Sequence, residues 1–316
     1  DELCMRTETT GDGGFDSLPY IASPSLQPAP RPEASAGPLL AGPVVAPCPM
    51  ASPCILVFDS GLGGLTVFRE IAHARPDARF IYAADDALFP YGAIPEADLV
   101  ARVVALMGSL IADHRPDLVV VACNTASTIV LPALRQHFSV PFVGTVPAIK
   151  PACAESRSKR VSVLGTEATV QREYTRALIR QYGQGCDVTL VGAARLAAYA
   201  ERELSGNPAS DEAIAAEIAP CFIDSDGRRT DSVVLACTHY PLLVHRLERL
   251  APWPVRWIDP APAIARRVVD LVGARQSEMR HGPALGVFTS GRQPSGTLAA
   301  ALADLGIAAS APALAR

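Results

Sequence analysis

From Cys54 onward the chain alternates short, wholly apolar runs with stretches of helical period. The runs Ile55–Phe58, Phe80–Ala83, Leu118–Ala122, Phe142–Gly144, Val161–Leu164, Val188–Val191, Val233–Ala236 and Val255–Ile258 predict strands. Their continuous β-branched character is that of strands buried on both faces of a parallel sheet. Between them, stretches such as Leu65–Ala74, Ala97–His114 and Glu167–Tyr182 carry apolar residues at helical spacing. This alternation predicts an α/β fold with mainly parallel sheets. The end of the chain, from Gly282, is rich in Ala, Gly and Pro and predicts one helix, Thr297–Leu305.

The pattern also repeats. DLVVVACNT, from Asp117 to Thr125, matches DSVVLACTH, from Asp231 to His239, in step. Downstream, PFVGTVPAI from Pro141 aligns with PVRWIDPAPAI from Pro254 once a two-residue insertion is allowed, and Ile55 to Gly61 resembles Val161 to Glu167. A repeat of about a hundred residues is too long for a solenoid unit. Two similar α/β halves facing each other account for it, with Cys123 and Cys237 at equivalent positions on opposite walls of a shared cleft.

Composition narrows the class. The chain has 316 residues, half of them apolar, and a net charge of -4 with scattered Lys and Arg. No basic stripe marks a nucleic-acid surface, and no run of eighteen or more uncharged apolar residues suggests a membrane span. Eight cysteines occur without a CxxC pair or zinc-ligand spacing, so no metal site is expected, and free thiols in a reducing cytoplasm are. Residues 1–50 differ from the rest: rich in Pro, Ala, Gly and Ser and lacking any period, they read as a disordered extension. Because MASPCILVFDSG runs straight into the first strand, translation is expected to begin at Met50.

The chemistry concentrates at strand ends. Cys123 and Cys237 each close an apolar run and precede a polar turn, Asn124-Thr125 and Thr238-His239. Ligands of open α/β sheets bind at the carboxyl ends of strands, and a thiol at a helix start carries more thiolate. The loop from Asp59 to Thr66, DSGLGGLT, follows the first strand and opens a helix. It lacks the GxGxxG order and the Walker lysine, so it reads either as a tight turn or as a loop bringing N–H groups and Ser60 to an anionic substrate. Pro90-Tyr91-Gly92 is a turn signal.

Taken in order, VFDSGLGGLT (Val57 to Thr66), Pro90-Tyr91-Gly92, ACNTAS (Ala122 to Ser127), Gly165-Thr166 and CTHYPLL (Cys237 to Leu243) resemble the glutamate racemases of the aspartate/glutamate racemase superfamily, across Ile55 to about Val272. The resemblance implies two pseudo-symmetric three-layer α/β domains with the active site in the cleft between them: residues 51–147 plus 259–316, and residues 148–258. It implies cofactor-independent racemisation of L-glutamate to D-glutamate for peptidoglycan synthesis in the cytoplasm, without pyridoxal phosphate or metal. Cys123 and Cys237 become the catalytic thiols, and Asp59, Ser60, Tyr91, Gly92, Asn124, Thr125, Thr238 and His239 become substrate contacts. Thr166 and Thr169 are further candidates, and Glu201 is a candidate for the family glutamate that assists the second thiol. The chain departs from the family pattern at Asp86, Leu88 and Gln171-Arg172, which bears on substrate preference.

Inversion at Cα needs one base to take a proton from one face and an acid to supply one to the other, and two thiols suit both roles. Pyridoxal chemistry needs a Schiff-base lysine, and the two lysines, Lys150 and Lys159, lie in no cofactor motif. The remaining alternatives are a racemase for aspartate or another acidic amino acid, and a non-catalytic ligand-binding or redox dithiol protein. The expected partner is a small-molecule substrate, with neither nucleic acid nor membrane. The oligomeric state stays open, a homodimer among the options.

Overall fold

The computed structural model describes residues 52–275, 277 and 281–309. The expected N-terminal extension and the start at Met50 lie outside them. The strands are β1 (Cys54–Asp59), β2 (Arg79–Ala84), β3 (Leu118–Val121), β4 (Phe142–Gly144), β5 (Arg160–Gly165), β6 (Asp187–Gly192), the hairpin β7 (Asp224–Ser225) and β8 (Arg228–Arg229), β9 (Ser232–Ala236), β10 (Arg256–Ile258), β11 (Ala284–Phe288) and β12 (Ile307–Ala309). The helices are α1 (Leu65–Ala74), α2 (Glu96–His114), α3 (Asn124–Ile129), α4 (Leu131–His137), α5 (Ile149–Glu155), α6 (Glu167–Gln171), α7 (Glu173–Tyr182), α8 (Leu196–Leu204), α9 (Asp211–Ile218), α10 (Val244–Leu250), α11 (Ala261–Val272) and α12 (Gly296–Asp304).

Two parallel sheets organise the chain. One has the order β12-β11-β2-β1-β3-β4, the other β10-β9-β5-β6. Every residue of β1 is buried, as a central strand covered on both sides requires. Side chains of a strand alternate between faces, so Ile55 and Val57 pack with α1 and α11 while Leu56 and Phe58 pack with α2, α3 and α4. α11 meets the first face through Ala261, Ile264, Ala265 and Val268; α2 meets the second through Leu99, Val103, Leu106, Met107 and Leu110. Both are i, i+3/i+4 stripes of amphipathic helices. The second sheet is likewise covered by α8, α9 and α10 on one face and by α5 and α7 on the other.

The repeat is visible in the pairing. The order β2-β1-β3-β4 recurs as β6-β5-β9-β10, all parallel. Ile55 pairs with Leu118 as Val161 pairs with Ser232. Val119 pairs with Phe142 as Val233 pairs with Trp257, the match that the two-residue insertion demands. The chain crosses from the first half to the second after β4 and returns after β10.

Two expectations change. The stretch Glu167–Tyr182 is not one helix: Arg172 is extended (φ -69°, ψ 138°) and separates α6 from α7. The freed carbonyl of Thr169 instead accepts the Thr175 hydroxyl at 2.7 Å. The C-terminal stretch holds not only α12 but two strands, β11 and β12, which extend the first sheet beside β2.

A buried ion pair ties the ends of two helices. Arg75, just past α1 and 1% exposed, holds Asp77 through both Nε (2.9 Å) and Nη2 (3.1 Å). Its Nη1 donates to the carbonyl oxygens of Val272 (3.3 Å) and Gly273 (2.7 Å), the open end of α11. Arg75→Ala would remove the buried cation that joins Asp77 to the end of α11, and removing one partner of a buried pair costs about 3–5 kcal/mol. A drop of that size in urea-unfolding free energy is the expected result, whereas a change under about 1 kcal/mol would place the pair among exposed salt bridges in effect.

Candidate active site

Because β3 and β9 occupy equivalent positions, the residues that follow them emerge at the same edge of their sheets. Cys123 follows β3 and Cys237 follows β9, each five residues beyond the equivalent pair partners Leu118 and Ser232. Both thiols line one small cavity together with Ser60, Phe89, Pro90, Tyr91, Gly92, Asn124, Thr125, Thr166, Ala197, Thr238 and His239. Nine of the ten residues predicted for the site are in that lining. Asp59 is not: it sits behind the wall, fully buried. Phe89 and Ala197 carry no chemical signal in the sequence. Phe89 stacks on the His239 ring with centroids 5.2 Å apart.

The Cys123 sulfur caps α3, accepting the Ala126 N–H at 3.4 Å, and lies 3.4 Å from the Ser60 hydroxyl. Asp59 accepts the Gly64 N–H at 2.8 Å. Burial raises the Asp59 carboxyl above its usual range, against the opposing pull of His239. Burial and the Asp59 charge together push the Cys123 thiol up to about 12.

Around Cys237 the arrangement differs. Its sulfur lies 3.8 Å from His239 Nδ1, and His239 Nε2 lies 2.9 Å from Glu201 Oε1. Burial works against a charged imidazole here, but Cys237, Glu201 and the Asp59 charge outweigh it and hold the His239 pKa well above the ordinary histidine range. The Gly63 N–H also points at Nε2, 3.1 Å away. A ring nitrogen cannot donate to Glu201 and accept from Gly63 at once. The cationic ring donates to Glu201, and the neutral ring, with its proton on Nδ1, can accept from Gly63. Each protonation state therefore has a partner.

Glu201 reaches His239 from α8 while also accepting the Leu62 N–H at 2.8 Å. The close approach explains the glycines of this loop: a Cβ on Gly61 would stand 2.4 Å from Glu201 Oε1, and one on Gly63 would stand 2.3 Å from His239 Nδ1.

Three hydroxyls bridge the halves. Thr125 lies 3.3 Å from Thr166 and 3.4 Å from Thr169, which are 2.9 Å from each other. Asn124 is buried, and neither its amide nitrogen nor its oxygen has a partner among the described residues. Leaving both unpaired costs stability unless a ligand satisfies them. Tyr91 donates to Asp85 at 2.7 Å; Asp85 also takes Arg102 (2.7 Å) and Thr289 (2.6 Å), and these bonds outweigh its burial and hold its carboxyl below the usual range. This knot anchors the Tyr91-Gly92 wall. The cavity itself is about 30 Å³, room for roughly two waters. That is less room than an amino acid needs, so the cavity must widen to admit one.

A family model described as Asp/Glu/Hydantoin racemase matches residues 60–268. The chain belongs to this family. A glutamate racemase of Brucella canis is 54% identical over 265 residues, covering 83% of this chain and 94% of that one. One from Brucella anthropi is 56% identical over 239 residues, 75% and 86% of the two chains. Among solved structures, Escherichia coli glutamate racemase in complex with L-glutamate and the activator UDP-MurNAc-Ala matches with a TM-score of 0.75 at 39% identity, covering 82% of this chain and 97% of that one. The residues matched by the family model hold strands of both sheets, and no helix among the described residues is long and apolar enough to cross a membrane.

Asp59→Asn removes a buried carboxyl whose folded pKa is raised. Such a group contributes most to stability at low pH and progressively less as pH rises from the ordinary aspartate range through its raised folded value. The melting temperature of the variant relative to the parent is therefore expected to increase with pH across that window and then level off. A difference independent of pH, followed by thermal melts in a buffer series, would exclude a raised Asp59.

Proposed function

We propose that this chain interconverts L- and D-glutamate without a cofactor, as a cytoplasmic enzyme supplying D-glutamate for peptidoglycan. Two lobes, residues 51–147 plus 259–316 and residues 148–258, would close over the substrate. The observation that carries the reading is the pair of thiols, Cys123 and Cys237, at pseudo-equivalent positions on one small cavity. The names of the similar proteins supply the substrate.

In this reading one cysteine enters as thiolate and takes the Cα proton, while the opposite thiol delivers its own proton to the other face. The S–H bond formed on one side balances the one broken on the other, and the two sulfurs exchange protonation states in each turnover. Because a sulfur serves as base in one direction and acid in the other, both need neighbours that tolerate either state. Ser60 and the Ala126 amide serve Cys123, and His239, backed by Glu201, serves Cys237. The weak acidity of Cα–H demands stabilisation of the charge that builds on the α-carboxylate side. Asn124, with its whole amide unpaired, is the strongest candidate for that contact. Ser60, Thr125, Thr238 and the Tyr91-Gly92 wall would complete the grip. Closure to a cavity this small excludes water from the carbanion-like state.

The test is circular-dichroism polarimetry on L- and D-glutamate without added cofactor. The parent should racemise both, and Cys123→Ala and Cys237→Ala should each fall by roughly a hundred- to ten-thousand-fold, the usual contribution of a general acid or base. Turnover of aspartate but not glutamate would keep the mechanism and change the substrate. Full activity in either alanine variant would end the two-thiol reading.

A further inference from the structure

The two halves support their sulfurs with different groups. Three residues after Cys123, the Ala126 N–H donates to the Cys123 sulfur. Three residues after Cys237, at the equivalent place, the Tyr240 N–H turns instead to the Cys237 carbonyl oxygen, 3.1 Å away. A 3-10 turn from Tyr240 to Leu243 stands where the first half has α3. The Cys237 sulfur thus lacks the backbone donor that its counterpart has. In place of the small Ala126, the second half carries a tyrosine.

Tyr240 is fully buried in the apolar cluster that also holds Leu196, Ile214, Leu235 and Cys237. Its hydroxyl has no hydrogen-bond partner among the described residues. A phenylalanine would fill the same space without desolvating a hydroxyl, so packing does not explain the oxygen. The ionisable groups whose charge acts on it are Cys237, Glu217 and Cys221, and of these Cys237 also comes within hydrogen-bonding reach of the hydroxyl. Glu217 is engaged with the Arg195 side chain and N–H. Burial pushes the Cys221 thiol up to about 12, so it stays neutral. Cys237 alone among the three is both unengaged on this side and, on the reading above, charged during turnover.

We propose that Tyr240 is a positioning residue that donates its hydroxyl hydrogen bond to the Cys237 sulfur when that sulfur is a thiolate. The inference deepens the two-thiol reading and rests on it. A thiolate accepts several hydrogen bonds, so it can take the Tyr240 hydroxyl on one side and the His239 Nδ1–H on the other. The neutral thiol needs neither, which leaves the hydroxyl idle in the resting site. No proton leaves Tyr240, whose burial keeps the phenol protonated far beyond neutral pH. The side chain would hold the sulfur's direction and favour its charged state.

The test is Tyr240→Phe, read in three ways. Iodoacetamide alkylation at neutral pH, followed by mass spectrometry of the Cys237 and Cys123 peptides, measures thiolate at each site separately. Cys237 should react about tenfold more slowly, the scale of one charge-assisted hydrogen bond, while Cys123 stays unchanged as an internal control. Glutamate racemisation should fall by a similar factor, and the melting temperature should hold or rise. Equal alkylation of Cys237 in variant and parent would overturn the proposal, as would a marked loss of thermal stability, which would reveal a structural partner for the hydroxyl. If the parent fails to racemise glutamate, the functional reading falls, and the alkylation ratio still decides the role of Tyr240.

Discussion

The parallel pairing of β3 on β1 and of β9 on β5 is the constraint on which the cleft depends. Register fixes where a strand stops, and a slip of one residue would turn every side chain to the other face. Cys123 shares its face with Val119 and Val121, and Cys237 shares its face with Val233 and Leu235. The apolar packing that locks the register therefore also aims the two sulfurs. The hydrophobic core and the chemistry are specified by the same residues, and the wholly buried valine runs leave little freedom for either to drift.

On that symmetric frame the surroundings are deliberately unlike. Cys123 has a backbone amide, a serine hydroxyl and a buried carboxyl behind it. Cys237 has an imidazole linked to a carboxylate and an idle phenol. Reversible proton transfer between mirror-image substrates needs two groups of matched strength, not two identical environments. A cationic ring on one side favours a thiolate, as does the helix-start amide on the other, although there burial and the Asp59 charge outweigh the amide. Duplicated halves can keep the positions of their sulfurs while their supporting groups diverge.

Much of this was legible in the chain. The strand–helix alternation carries the fold class, and the nine-residue match around the cysteines carries the equivalence of β3 and β9 in their two sheets, because buried parallel strands have an unmistakable composition. β11 escaped because Gly286 interrupts ALGVF, yet the glycine is what the strand needs: a Cβ there would stand 2.9 Å from Ile307 Cγ2 of the neighbouring β12. The break at Arg172 escaped because neither proline nor glycine marks it, and the hydroxyl of Thr175 that compensates it is a tertiary choice. In the site, the polar lining was readable from strand-end turns. Phe89 and Ala197 were not, since an apolar residue facing a cleft reads like one facing a core. Glu201 was visible only through resemblance, because its reach to His239 depends on how α8 docks.

That docking also ties the second half to the glycine-rich loop of the first. Glu201 and His239 belong to the second half, yet their bonding is completed by the Leu62 and Gly63 N–H groups of the first. Thr66 reaches across in the same way to the Thr238 carbonyl oxygen, 3.0 Å away. Only the neutral form of His239 can accept from Gly63, while the cationic form donates to Glu201, so the first half's loop bonds to one protonation state of the ring. A Cβ on Gly63 would stand 2.3 Å from His239 Nδ1, so the loop that opens α1 can lie against the opposite wall only because it carries no side chain there.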